Sequence, residues 1–222
     1  MRQFTFIPTG ILIFTYLFIF YSFKNWSGLI TFILMSIFAL SLFVFRRSSI
    51  PYRDTIKSDG EIYLAPVYGV VQGIRRDITI EDSANIYNEI RVSLSLWKEK
   101  GLYLPTTAEV SFLKYQKGGK IPINSDSKAF LGSVNDIAHT DLFFMSKNQT
   151  QTLLRFIDCP YGQRPTIWLK SGDRGRGAAC FGHYPFGGTL LIYIPQNSDI
   201  LVFEGEQLIP GQSVLAAIKD KR

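Results

Sequence analysis

The order of apolar and polar positions divides the chain into two unlike parts. Residues 3–23 and 25–45 are two runs of 21 residues each without a charge, separated only by Lys24. About 20 apolar residues in a helix span a hydrocarbon core, so the pattern predicts a transmembrane helical hairpin over residues 1–46 that turns near Lys24–Gly28. A cleaved signal peptide has one short apolar region and a small-residue cleavage site. The apolar material here is twice too long for that, and no such site follows it. Arg2 precedes the first run, and Arg46, Arg47 and Arg53 follow the second. Basic residues collect on the cytoplasmic side of a span. The expectation is an integral membrane protein of a bacterial inner membrane or its equivalent, with the C-terminal domain cytoplasmic. Trp26, Arg46, Arg47 and Arg53 are the expected membrane-interface residues.

After a polar linker over 47–54 the pattern changes. From 55 to 222 the apolar residues come in short β-branched or aromatic runs: IYLAPVYGVVQGI, IRVSLSLW, AEVSFLKY, LLRFI, TIWLK, TLLIYIP and DILVFE. Val92, Leu94 and Leu96 alternate with polar residues, and Gly, Pro, Asn and Asp punctuate the runs, which is the signature of strands and turns. One helical turn is expected over 82–88. The closing stretch, residues 199–218, has a strand, a Gly205-Glu206 turn, a Pro210-Gly211 turn and a final strand. That form recurs in barrel-sandwich domains of the biotinyl and lipoyl kind, where such turns need φ > 0. No lysine stands at a hairpin tip between these strands, so this is not a carrier domain. The whole predicts one β-rich domain.

Composition agrees: 46% of the residues are hydrophobic and 14% aromatic, enough for one domain with a core. Without Arg2 and Lys24 the chain holds 22 basic and 18 acidic residues, an excess of +4. So mild an excess suits a face beside anionic lipid. No basic run with interleaved aromatics indicates nucleic acid, and Gly172–Gly177 lacks the spacing of a phosphate loop. Cys159 and Cys180 lack metal-ligand spacing, so no metal site is expected, and in a reducing compartment they need not pair. Tyr103, Tyr115, Trp168 and Tyr184 are candidate surface aromatics for a partner.

Several segments, in order, carry a resemblance: FRRSSIP at Phe45–Pro51, PVYG at Pro66–Gly69, RVSLS at Arg91–Ser95, Leu104-Pro105, Gly119-Lys120-Ile121, and GDRGRGAACFGHYPFGGTLLIYIP at Gly172–Pro195. Together they resemble the membrane-associated phosphatidylserine decarboxylases in their short form. The resemblance covers nearly the whole chain and is most specific over Gly172–Ala217. It implies a β-rich fold that cuts itself before a serine in a Gly-Ser pair. The serine becomes a pyruvoyl group, whose carbonyl serves as the electron sink for loss of CO2. The implied machinery is that serine, an Asp and a His.

At those three positions this chain has other residues. Gly188 stands at the serine, Tyr68 at the Asp, and the His position falls between Lys100 and Leu102, taken as Lys100. Glycine has no hydroxyl to attack the preceding carbonyl, so no pyruvoyl cofactor is expected. Residues of a residual pocket would be His183, Thr189 and Cys180. Thr189 has a hydroxyl, but the period of a strand points it away from the serine's direction. A histidine in a tight turn is more often held by partners than a base, and a thiol in an apolar setting is inert unless a cation such as Arg174 or Arg176 lowers its pKa. The expected function is non-catalytic: a phospholipid-binding scaffold, or an accessory subunit of a membrane complex with bilayer and protein partners. An active lyase with relocated self-processing and a ligand-sensing module are the readings from other classes.

Overall fold

The computed structural model describes residues 26–44, 61–80, 83–94, 98–119, 137–158, 164–184 and 188–218. The chain divides into two compact units, Met1–Arg46 and Arg47–Arg222. In the first, the described element is helix α1, Trp26–Val44. Most of its described large apolar side chains are exposed, with Leu34 and Phe38 at 61% and 63%.

Among the described residues no helix is long and apolar enough to cross a membrane. That overturns the transmembrane hairpin and, with it, the integral-membrane placement with a cytoplasmic C-terminal domain. The reason is extent. A hydrocarbon core of about 30 Å needs about 20 apolar residues, and among the described residues the helix, Trp26–Val44, has 19. The first expected span, the linker 47–54, and the interface residues Arg46, Arg47 and Arg53 lie outside the described residues. Trp26 is the first residue of α1.

The second unit is β-rich, as its runs of β-branched residues predict. Its strands are β1 (Glu61–Leu64), β2 (Gly69–Ile80), β3 (Ser83–Leu94), β4 (Gly101–Tyr103), β5 (Ala108–Gln116), β6 (His139–Ser146) and β7 (Gln151–Ile157). They continue with β8 (Thr166–Ile167), β9 (Arg174–Gly175), β10 (Cys180–His183), β11 (Thr189–Pro195), β12 (Asp199–Ile200), β13 (Gln207–Leu208) and β14 (Val214–Ile218). An eight-stranded sheet runs β13-β2-β3-β11-β7-β6-β5-β9, and two three-stranded sheets run β1-β14-β12 and β4-β10-β8. The described strand pairs within these sheets are antiparallel.

Strand β11 is central and buried on both faces, which is why TLLIYIP reads as a continuous apolar run. Leu190, Ile192 and Ile194 join Ile90, Val92, Leu154, Phe156, Leu142 and Phe144 in the main core. Tyr63, Leu102, Phe181, Tyr184 and Leu215 come to that core from the small sheets. Leu191 and Tyr193 face a second cluster with Tyr87, Phe143 and Leu153. In the closing stretch Gly205 and Gly211 hold φ of 87° and 68°, as their turns require.

Residues 83–88 are strand, not the expected helical turn. Tyr87 and Asn88 pair with Pro195 and Ile194 on one side, and Tyr87 pairs with Ile78 on the other. Two ladders override a weak local helical preference. Of the four aromatics expected at the surface, Trp168 and Tyr115 are 50% and 36% exposed, while Tyr103 and Tyr184 are core residues.

Candidate functional site

Gly188 lies just before β11, and its carbonyl accepts a hydrogen bond from the Leu94 amide at 2.9 Å. Leu94 pairs with Gly69, the neighbour of Tyr68. On the other side, Tyr184 follows β10, and its amide donates to the Lys100 carbonyl at 2.9 Å. In the same ribbon His183 pairs with Gly101 and Cys180 with Tyr103. The three positions singled out by the resemblance, 68, 100 and 188, are far apart in sequence. Two short backbone chains bring them to one region, Tyr68-Gly69-Leu94-Gly188 and Lys100-Tyr184.

The centre of that region is filled. Gly188 is buried, with φ at +145°, a conformation that residues with side chains rarely adopt. A Cβ built there would lie 2.5 Å from the Tyr184 hydroxyl and 2.9 Å from the ring carbon that carries it. The ring cannot easily give way. Tyr184 is fully buried, its hydroxyl donates to the Ile157 carbonyl at 2.5 Å, and Phe156 packs edge-on at 6.0 Å. A buried phenol keeps such a partner because an unpaired hydroxyl in a core is costly. The pyruvoyl group implied by the resemblance is made from the serine's own Cα and Cβ. With no Cβ at 188 and a tyrosine in that space, the residues here do not fit the group.

Around this centre the other side chains are polar but occupied. Lys100 is 1% exposed, and burial lowers its pKa to about 8, since a low-dielectric setting disfavours the ammonium. Tyr68 is half-buried, and the Lys98 ammonium lies 5.6 Å from its ring centre, a cation–π distance. Glu99 accepts a hydrogen bond from the Tyr103 hydroxyl. Cys180 is half-buried, and its Sγ lies 3.5 Å from the Gly182 carbonyl. Arg174, one of the two cations considered for it, is bonded instead to Glu109 at 2.6 Å. His183 is half-buried at the end of β10, between β4 and β8. Thr189 is half-buried and pairs with Ser93 and Ile157. It shares the alternation of Leu191 and Tyr193, whereas a side chain at 188 would enter the main core beside Tyr184. Among the described residues no group of His, Cys, Asp or Glu could hold a metal ion.

On the opposite face of the large sheet is a buried charged layer that the sequence pattern did not reveal. Asp141 receives two hydrogen bonds from Arg155, at 2.8 and 2.7 Å, and His139 Nε2 lies 3.6 Å from the same carboxylate. Glu89 holds Arg75 in the same two-bonded way, at 3.0 and 2.6 Å. These groups come from adjacent strands in register, Asp141 opposite Arg155 and Glu89 opposite Arg75. The one signal in the sequence was a charge at alternate positions inside otherwise apolar strands.

Against known proteins, the chain finds three curated relatives of one kind. It is 26% identical over 188 residues to the phosphatidylserine decarboxylase proenzyme of Symbiobacterium thermophilum, covering 81% of this chain and 80% of that one. It is 21% identical over 168 residues to the proenzyme of that name from Anaplasma phagocytophilum, covering 74% and 70%. The proenzyme of Saccharopolyspora erythraea is 22% identical over 171 residues, covering 76% and 70%. Over most of its length the chain is similar to phosphatidylserine decarboxylase proenzymes. No family model matches it, and no solved structure gives a significant match. The region around Gly188 is the candidate functional site.

Proposed function

We propose that this chain is a non-catalytic member of the phosphatidylserine decarboxylase family. It keeps the fold and neither cuts itself nor forms a pyruvoyl group. Its role is then to bind, as a phospholipid-headgroup scaffold or as an accessory subunit of a larger complex. The observation that carries this reading is the Tyr184 hydroxyl, 2.5 Å from where a side chain at 188 would begin. A missing serine alone could reflect a shifted alignment. A missing serine whose space is filled by a bonded, fully buried tyrosine supports a site remodelled around its absence. Tyr68 and Lys100 at the other two positions support the same conclusion.

The test is the intact mass of the protein purified from its own cells under native conditions. The proposal expects one uncut chain, a phospholipid or protein companion, and no release of CO2 from phosphatidylserine. Two fragments parted beside Gly188 or Thr189 would overturn it and favour the relocated lyase.

A further inference from the structure

A second concave site lies at the other end of β11. The strand starts at Thr189, beside Gly188, and ends at Pro195, so its ends are roughly 20 Å apart at about 3.3 Å per residue. At the Pro195 end a cavity of about 290 Å³ opens between the start of β3, the turn into β7 and the turn after β11. None of its lining residues is charged. Asn85, Thr150, Gln151, Gln196 and Asn197 line it with amides and a hydroxyl, while Ile86 and Pro195 add apolar surface.

The polar wall is held in place. Gln151 Oε1 accepts from the Tyr87 hydroxyl at 3.0 Å and from Asn85 Nδ2 at 3.2 Å. Thr150 Oγ1 donates to Glu61 at 2.9 Å, and Gln196 Nε2 donates to Asp77 at 2.6 Å. These two carboxylates are tied to the wall without being part of it. Each takes a donor, so Gln196 offers a ligand mainly its acceptor oxygen, and Thr150 Oγ1, which also accepts from the Tyr63 hydroxyl at 3.4 Å, keeps one lone pair. The nearby negative charge also disfavours an anion. Gln149, another lining residue, holds a left-handed φ of 58° in the hydrogen-bonded turn between β6 and β7.

We propose that this cavity binds a neutral polyhydroxyl group, a polyol or a sugar. Acceptor oxygens and amides match hydroxyl donors, and Ile86, 42% exposed, with Pro195 can take the C–H face of a ring. A volume at the lower end of small-molecule sites suits a group of one ring. The inference is independent of the site at Gly188.

The test is calorimetry and saturation-transfer NMR on the full chain with D-glucose, myo-inositol and glycerol, and inorganic phosphate as the charged probe. Saturable binding of at least one polyol is expected, with phosphate silent. Gln151→Leu and the exposed-residue variant Asn197→Ala should each weaken binding by about tenfold or more, Asn197→Ala with an unchanged thermal midpoint. The proposal is overturned if no polyol binds, if phosphate displaces the polyol, or if both variants bind as the parent does.

Discussion

The hydroxyl of Tyr184 stands 2.5 Å from the point where a side chain at Gly188 would begin, and the same hydroxyl is bonded to the Ile157 carbonyl. The two residues are four apart in sequence, and each constrains the other: the glycine makes room for the ring, and the ring excludes any larger residue.

Gly188→Ser should leave the chain uncut and destabilise the fold. Positive φ and the collision together should cost roughly 1–3 kcal/mol, read as a lower midpoint in urea with an unchanged slope. In a Tyr184→Ala background the same serine should cost less, so a double-mutant cycle shows coupling. A Gly188→Ser protein as stable as its parent would remove the steric argument.

Stability should rise with pH between about 8 and 10.5 because of Lys100. Its folded pKa is lowered to about 8, while the unfolded side chain keeps about 10.4. Between those values the unfolded state binds the extra proton, so raising the pH favours the folded state. Below pH 8 the ammonium is charged in both states and its burial cost is fully present. Lys100→Met should then be more stable than the parent at pH 7, by up to about 3 kcal/mol, and the gap should close towards pH 10.5. Tyr63 acts in the opposite sense, its phenol pushed up to about 12 by burial, so its contribution is lost above pH 10. Urea titrations of both proteins at pH 7, 8, 9 and 10 separate the two, because only the Lys100 slope disappears in the variant.

The buried pair of Asp141 and Arg155 should behave unlike the exposed pair of Arg174 and Glu109. Asp141 is fully buried and Arg155 only 4% exposed, so Asp141→Ala leaves a buried guanidinium without its carboxylate and should cost about 3–5 kcal/mol. Replacing both, Asp141→Leu with Arg155→Met, should cost much less than either single change. Glu109→Gln should shift stability by no more than about 1 kcal/mol, since that ion pair is screened by water. Denaturation curves for these variants check the order, and a mild Asp141→Ala would contradict it.

The β-rich character of residues 61–218 was legible because strand residues declare themselves locally, by alternation, β-branching and turn glycines. The buried centre of β11 was legible for the same reason. The transmembrane hairpin was not borne out: apolar length was taken as sufficient, and the described helix does not provide a span. The strand through 83–88 was missed because it exists only through its partners on β2 and β11.

The candidate site shows the same boundary more sharply. The sequence by itself determined which atoms are available: no hydroxyl at 188, no carboxylate at 68, an amine at 100. Covalent chemistry is local, so a residue's identity is enough to decide it. Only the tertiary structure decided that Tyr184 fills the space at 188, that Lys100 is buried, and that uncharged amides from three separate segments line one cavity. Those facts depend on strand register and on which face a side chain takes, and they arise from contacts between residues tens of positions apart.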